Sequence, residues 1–223
     1  MVNQKSSNDM RAVVIGGTGA TGKELVKHLL DDARFEGVTV LVRRPYFENN
    51  PKLKEIIIDF EDLAAFGGHI MGEVAFSCLG TTLKDAGGKD AQWRVDHDYQ
   101  LEFATLARKN GVGAFVLLSA YGAKANSSIF YNKMKGSLEQ QIASLDFPQL
   151  TIVQPGGIER PNSTRTGEKL FIPILKAFNA MGLFKAYAPL STDRLAQGMI
   201  AAFFGSKEKI NIVTVKEIKE ITT

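Results

Sequence analysis

Six short apolar runs punctuate the chain: AVVIG (12–16), VTVLV (38–42), IIID (56–59), VAFSCLG (74–80), AFVLLS (114–119) and LTIVQPG (150–156). Each is short and rich in apolar residues, so each reads as a buried strand. The segments between them behave differently. ATGKELVKHLLDD, DHDYQLEFATLARKNG and FYNKMKGSLEQQIASL repeat apolar residues every three or four positions, as a helix with one buried face does. Near-continuous apolar strands alternating with amphipathic helices predict an α/β fold: a doubly wound parallel sheet flanked by helices on both faces.

Past residue 156 the pattern loosens. It predicts a helix in EKLFIPILKAFNAMGLF, interrupted at Pro173, and another in STDRLAQGMIAAFF. KEKINIVTVKEIKEITT reads as a last strand and helix. No repeat, low-complexity tract or long linker divides the chain, which predicts one domain over 1–223, with 157–190 as a small substrate-side region.

The turn between the first strand and first helix holds Gly16, Gly17, Gly19 and Gly22 within seven positions. Two registers fit, Gly16-x-x-Gly19-x-x-Gly22 and Gly17-x-Gly19-x-x-Gly22. Such glycines let a backbone turn sharply and close on a pyrophosphate at the positive end of a helix, here starting near Ala20. At the end of the second strand, a dinucleotide site built for NAD carries an acid for the ribose 2′-hydroxyl. This chain has Arg43 and Arg44 there, followed by Pro45. Guanidinium groups suit a 2′-phosphate, so the expected cofactor is NADP(H).

Composition removes several alternatives. The 223 residues carry a dispersed net charge of +3, without the basic stripe of a nucleic-acid binder. One cysteine, Cys78, permits no internal disulfide and no cysteine-based zinc cluster, while His28, His69 and His97 lack metal-site spacing. MVNQKSSNDM is not an apolar leader, and no run reaches the length of a membrane span. A cytoplasmic protein, without a membrane or nucleic-acid partner, is the resulting expectation.

Hydride chemistry needs a proton source beside the carbonyl. YNKMK sets Tyr131 and Lys135 one helical turn apart on one face. They open the helix after the fifth strand, at the strand-end level where ligands bind in parallel sheets. Ser119, at the end of that strand, is placed to orient a substrate oxygen. The stretch NSS at 126–128 lies nearer Tyr131 in sequence, so Ser127 and Ser128 are alternatives for the substrate-facing hydroxyl.

GGTGATG, LLSAYGA and YNKMKG together resemble the short-chain dehydrogenase/reductase superfamily, in its atypical or extended branch. LVRRP, DFEDL, CLGTT, RVDHDY and RTGEKL are similar, more narrowly, to the branch containing the HIV Tat-interacting protein oxidoreductase homologue. The resemblance runs from about residue 11 to beyond residue 200 and implies a Rossmann fold that binds NADPH. It implies that Gly16, Thr18, Gly19, Ala20, Thr21 and Gly22 form the phosphate loop and that Arg43 and Arg44 hold the 2′-phosphate. Asp59 would sit near adenine, Leu79 and Gly80 under the cofactor, and Ile158 and Arg165 on its far side. Ser119, Tyr131 and Lys135 match the catalytic trio, with Tyr131 and Lys135 also contacting the cofactor. The superfamily often offers an asparagine to its proton relay from the helix before strand five, whereas RVDHDY has Asp96 nearby.

These features lead to an NADPH-dependent oxidoreductase reducing a small carbonyl substrate. The alternative is an NADPH-binding regulatory or protein-interaction module with little turnover. A homodimer or a protein partner fits either reading.

Overall fold

The computed structural model describes residues 10–159 and 190–222. Strands β1 (Met10–Ile15), β2 (Phe35–Val42), β3 (Leu53–Ile57), β4 (Val74–Ser77), β5 (Ala114–Leu118), β6 (Gln149–Gln154) and β9 (Ile210–Thr214) form one parallel sheet. A short pair, β7 (Ile158–Glu159) and β8 (Leu190–Ser191), lies outside it. Helices α1 (Ala20–Asp31), α4 (Tyr99–Lys109), α5 (Phe130–Ser144) and α6 (Thr192–Gly205) supply crossovers, which parallel neighbours require, and the short helices α2 (Leu83–Ala86) and α3 (Lys89–Trp93) precede α4.

Alternation along each strand sends apolar side chains to both faces. Val14, Val40, Phe76 and Val116 pack on one face with Leu25, Val26 and Leu29 of α1 and Leu195 and Met199 of α6. Val13, Leu41, Ala75, Phe115 and Leu117 pack on the other with Phe103 and Ala107 of α4 and Leu138 and Ile142 of α5. This is the expected doubly wound arrangement, with a Rossmann-like sheet. All six runs contain or border a strand, although β3 starts earlier than the IIID run and β4 stops at Ser77. Cys78 still donates to Ile15 O at 3.0 Å, and beyond it the chain turns away from β1.

Strand order is β3-β2-β1-β4-β5-β6-β9. The chain therefore builds outward from β1 in one direction, returns to β4 on the other side of β1, and then builds the opposite way. The carboxyl ends of β1 and β4 flank this reversal, where connecting loops part and leave a crevice. The helix expected in EKLFIPILKAFNAMGLF lies outside the described residues.

Candidate functional site

The glycine loop fills that crevice edge, and its backbone is crowded. Gly16 has φ +75°, and a Cβ there would lie 2.3 Å from Leu79 N. A Cβ on Gly22 would lie 2.1 Å from Gly16 O, so the first turn of α1 rests directly on the loop. Gly19 N donates to Gly16 O at 3.0 Å and closes the turn. Gly19 caps α1 without a side-chain acceptor, and the first helical turn holds no acidic residue. The positive end of α1 thus has no acidic partner from its own cap or first turn.

A cleft of about 650 Å³ opens beside this loop, within the size range of small-molecule and cofactor sites. Thr18, Gly19 and Lys23 form one wall, Arg43, Arg44 and Tyr46 another, and Cys78, Leu79 and Gly80 the floor. Lys23, Arg43 and Arg44 are its charged lining residues among those described, so the described lining bears three cations and no carboxylate. Lys23 Nζ stands 4.7 Å from the centre of the Tyr46 ring, linking the two walls. A bare loop, a helix N-terminus and this cationic wall fit the phosphates of a dinucleotide.

Several expected residues are not among those lining this cleft. Ala20 and Thr21 begin α1 but do not line the cleft; Thr21 is buried. Asp59 is exposed, and its carboxylate accepts from Glu61 N at 2.9 Å, capping the 3-10 helix Phe60–His69. Phe60, the next residue, lines the cleft instead. Ile158 packs against the core on the α1 and α6 side. Arg165 lies outside the described residues.

Behind the floor sits a buried ionic cluster. Residues 89–109 form one helical run, α3 (Lys89–Trp93) and α4 joined by the π turn Arg94–Asp98. The π turn carries Asp96 inward, where its side chain is 2% exposed. Asp96 Oδ2 accepts from Thr81 N at 2.7 Å, and Oδ1 lies 3.6 Å from Lys135 Nζ. Lys135 itself is fully buried; burial pushes its pKa down, and the Asp96 carboxylate opposes that shift. Burial pushes Asp96 up, against the pull of Lys135 and the Thr81 N–H. Cys78, also near Lys135, is pushed up to about 12 by burial and is a thiol at neutral pH.

Tyr131 stands in the first turn of α5, 38% exposed, one turn before Lys135. Ser119 follows β5 directly, and its backbone N donates to Val153 O at 2.8 Å. Its hydroxyl donates to Glu139 of α5, and Gln154 Nε2 donates to the two Glu139 oxygens at 3.0 and 3.1 Å. Ser127 Oγ accepts from Ile129 N at 3.1 Å and shapes the entry to α5, while Ser128 is exposed. Tyr131, Lys135 and Glu139 follow one another at four-residue steps, the signal in the sequence that points to Glu139.

A sequence profile of the NAD(P)H-binding family matches residues 16–170. The mitochondrial protein FMP52 of Eremothecium gossypii is 32% identical over 214 residues, spanning 94% of this chain and 96% of the relative. Protein HTATIP2 of Rattus norvegicus is 40% identical over 150 residues, 64% of this chain and 60% of the relative. Among solved structures, the Bordetella bronchiseptica enzyme WbmH in complex with NAD+ superposes with a TM-score of 0.70 at 17% identity, covering 96% of this chain and 79% of that one. UDP-glucose 4-epimerase from Thermotoga maritima, with UDP-glucose, gives 0.69 at 17% identity, covering 96% and 82%. At such identity these structures share the fold.

The FMP52 names overturn the expectation of a cytoplasmic protein. The Eremothecium gossypii and Kluyveromyces lactis relatives match 94% and 95% of this chain and are mitochondrial. The expectation rested on the absence of an apolar leader. Mitochondrial import reads amphipathic, arginine- and serine-rich segments, which hydropathy does not register.

Proposed function

This chain belongs to the NAD(P)H-binding family, and on that premise we propose an NADPH-dependent oxidoreductase of the short-chain dehydrogenase/reductase type that reduces a small carbonyl compound. The observation that carries the cofactor choice is the cationic cleft lining of Lys23, Arg43 and Arg44, without a carboxylate among the described residues. A charge-assisted hydrogen bond contributes about 1.5–3 kcal/mol, so one such bond to a 2′-phosphate favours NADPH over NADH by roughly tenfold to hundredfold. The mitochondrial relatives support a mitochondrial location.

NADPH, when bound, supplies the hydride. The chain's own groups handle the proton. A phenol titrates near pH 10, and lowering that value to about 7 takes about 4 kcal/mol of preferential phenolate stabilisation. Lys135, one helical turn along α5 and paired with Asp96, is the cation proposed to provide it. Thr18, Gly19 and the start of α1 bind the phosphates, while Leu79 and Gly80 support the nicotinamide end.

A second reading, an NADPH-binding regulatory module with little turnover, is favoured by one contact: the Ser119 hydroxyl is engaged by Glu139. NADPH oxidation measured against a panel of aldehydes and ketones separates the two. General acid catalysis contributes roughly 10²–10⁴-fold, so Tyr131→Phe is expected to lower turnover by about 100-fold or more. Equal rates for the variant and the wild type would rule out the catalytic reading.

A further inference from the structure

Lys135 is a buried cation paired with Asp96, and Glu139 follows it one helical turn farther along α5; both carboxylates act on its charge. If all three ionise, the cluster holds one net negative charge, with Asp96 and Lys135 out of water and Glu139 half-buried. Low-dielectric surroundings oppose that state, and binding one proton removes it.

Hydrogen bonding decides where the proton resides. The Asp96 carboxylate meets donors, the Thr81 N–H and the Lys135 ammonium, with no acceptor for a proton of its own among the described residues. Glu139 faces the Ser119 hydroxyl, which donates to an ionised carboxylate and accepts from a neutral carboxylic acid. Its contact with Ser119 therefore survives in both states. Gln154 holds the carboxyl group from β6 and is neutral. Lys135 is the charged group acting on Glu139 directly; Asp96 and Cys78 act on Lys135 from the π turn and the cleft floor. His97, from the same π turn, contacts Ser137 and Gln141 of α5. Burial pushes the Glu139 pKa up, while the Ser119 and Gln154 hydrogen bonds and the Lys135 charge pull against it.

We infer that Glu139 is the proton store of this site: its carboxyl group is protonated with reduced nicotinamide bound and gives up that proton when the ring becomes cationic. The inference rests on the NADPH reading above and adds a residue to it. The balance closes. One hydride and one proton add across the carbonyl; Tyr131 gives the proton to oxygen, the proton that Glu139 passes to its Ser119 hydroxyl partner replaces it by way of solvent, and solvent refills Glu139. Glu139 is a positioning and relay residue, acting through Lys135 and Ser119 rather than on substrate.

Calorimetric titration of the full chain with NADPH and with NADP+, in buffers of different ionisation enthalpy, counts the protons exchanged. NADP+ binding is expected to release more protons than NADPH binding, with that difference lost in Glu139→Gln. Infrared difference spectra of the NADPH and NADP+ complexes then identify the group. A protonated-carboxyl band is expected with NADPH alone; it shifts with carbon-13 glutamate, moves in Ser119→Ala, and disappears in Glu139→Gln. Should Glu139→Gln fail to fold, the labelled wild type and Ser119→Ala still decide. A band that follows labelled aspartate, or equal proton release with both nucleotides bound, overturns the inference alone. If neither nucleotide binds the wild type, the NADPH reading falls and takes this inference with it.

Discussion

Alanine at position 22 is expected to abolish nucleotide binding and to lower the melting temperature by about 6–12 °C. A Cβ there would lie 2.1 Å from Gly16 O and 2.8 Å from Gly17 Cα. Both neighbours are backbone, so no side chain can rotate away. The helix or the loop must move, and overpacking of this kind costs about 1–3 kcal/mol, at times more. Taking about 3 kcal/mol, a shift of 2–4 °C per kcal/mol in a protein of this size gives the stated range. The loss of binding follows from geometry: the displaced backbone is the one that would approach the pyrophosphate. Gly68→Ala is the control, because a Cβ there meets nothing within 4 Å. Thermal unfolding, with NADPH fluorescence as the binding readout, checks both.

Lys135→Met is expected to cost about 3–5 kcal/mol at pH 8, the range for removing one partner of a buried ion pair. The methionine fills much of the same space, so the deficit comes mainly from charge. Asp96, 2% exposed, keeps the Thr81 N–H and loses its cation. Burial already raises Asp96 above an ordinary aspartate, and without Lys135 it rises further. A carboxyl group whose folded pKa is raised supports folding fully below its unfolded value, about 3.9, and loses that support as pH climbs through the folded value. The variant's deficit should therefore be largest at pH 8 and shrink toward pH 4. Urea unfolding of variant and wild type at both pH values measures it. A deficit independent of pH would mean that lost packing, rather than the stranded Asp96 charge, governs the effect.

Backbone-level features of the site were legible in the chain. Val13, Val14 and Ile15 read as a buried strand because neighbours cover both faces, and alternation in such a strand vanishes into a continuous apolar run. Gly16 and Gly22 read as a phosphate loop because close approach excludes a Cβ, a demand that local sequence records directly. Tyr131 and Lys135 read as one helical face because spacing fixes that relation. Which side chains meet across elements was harder to read. Asp59 stands at the end of β3, where its carboxylate accepts a capping hydrogen bond from Glu61 N, and the next residue, Phe60, lines the cleft, a division that the sequence does not mark. Lys23 and Tyr46 meet across 23 positions, a contact with no local signature. Asp96 turns inward through a π turn, which ordinary helical spacing does not register. Glu139 was visible as a four-residue step, but its engagement of Ser119 depends on how α5 docks beside β5 and β6.

Calorimetric titration of the wild-type chain with NADPH and, separately, with NADH is the most direct test of the cationic cleft. NADPH should bind at least about tenfold more tightly, as one charge-assisted bond to the 2′-phosphate requires, and Arg43→Ala/Arg44→Ala should erase most of that preference. Binding of NADH as tight as NADPH would contradict the role of the arginines, and binding of neither would contradict the dinucleotide site itself.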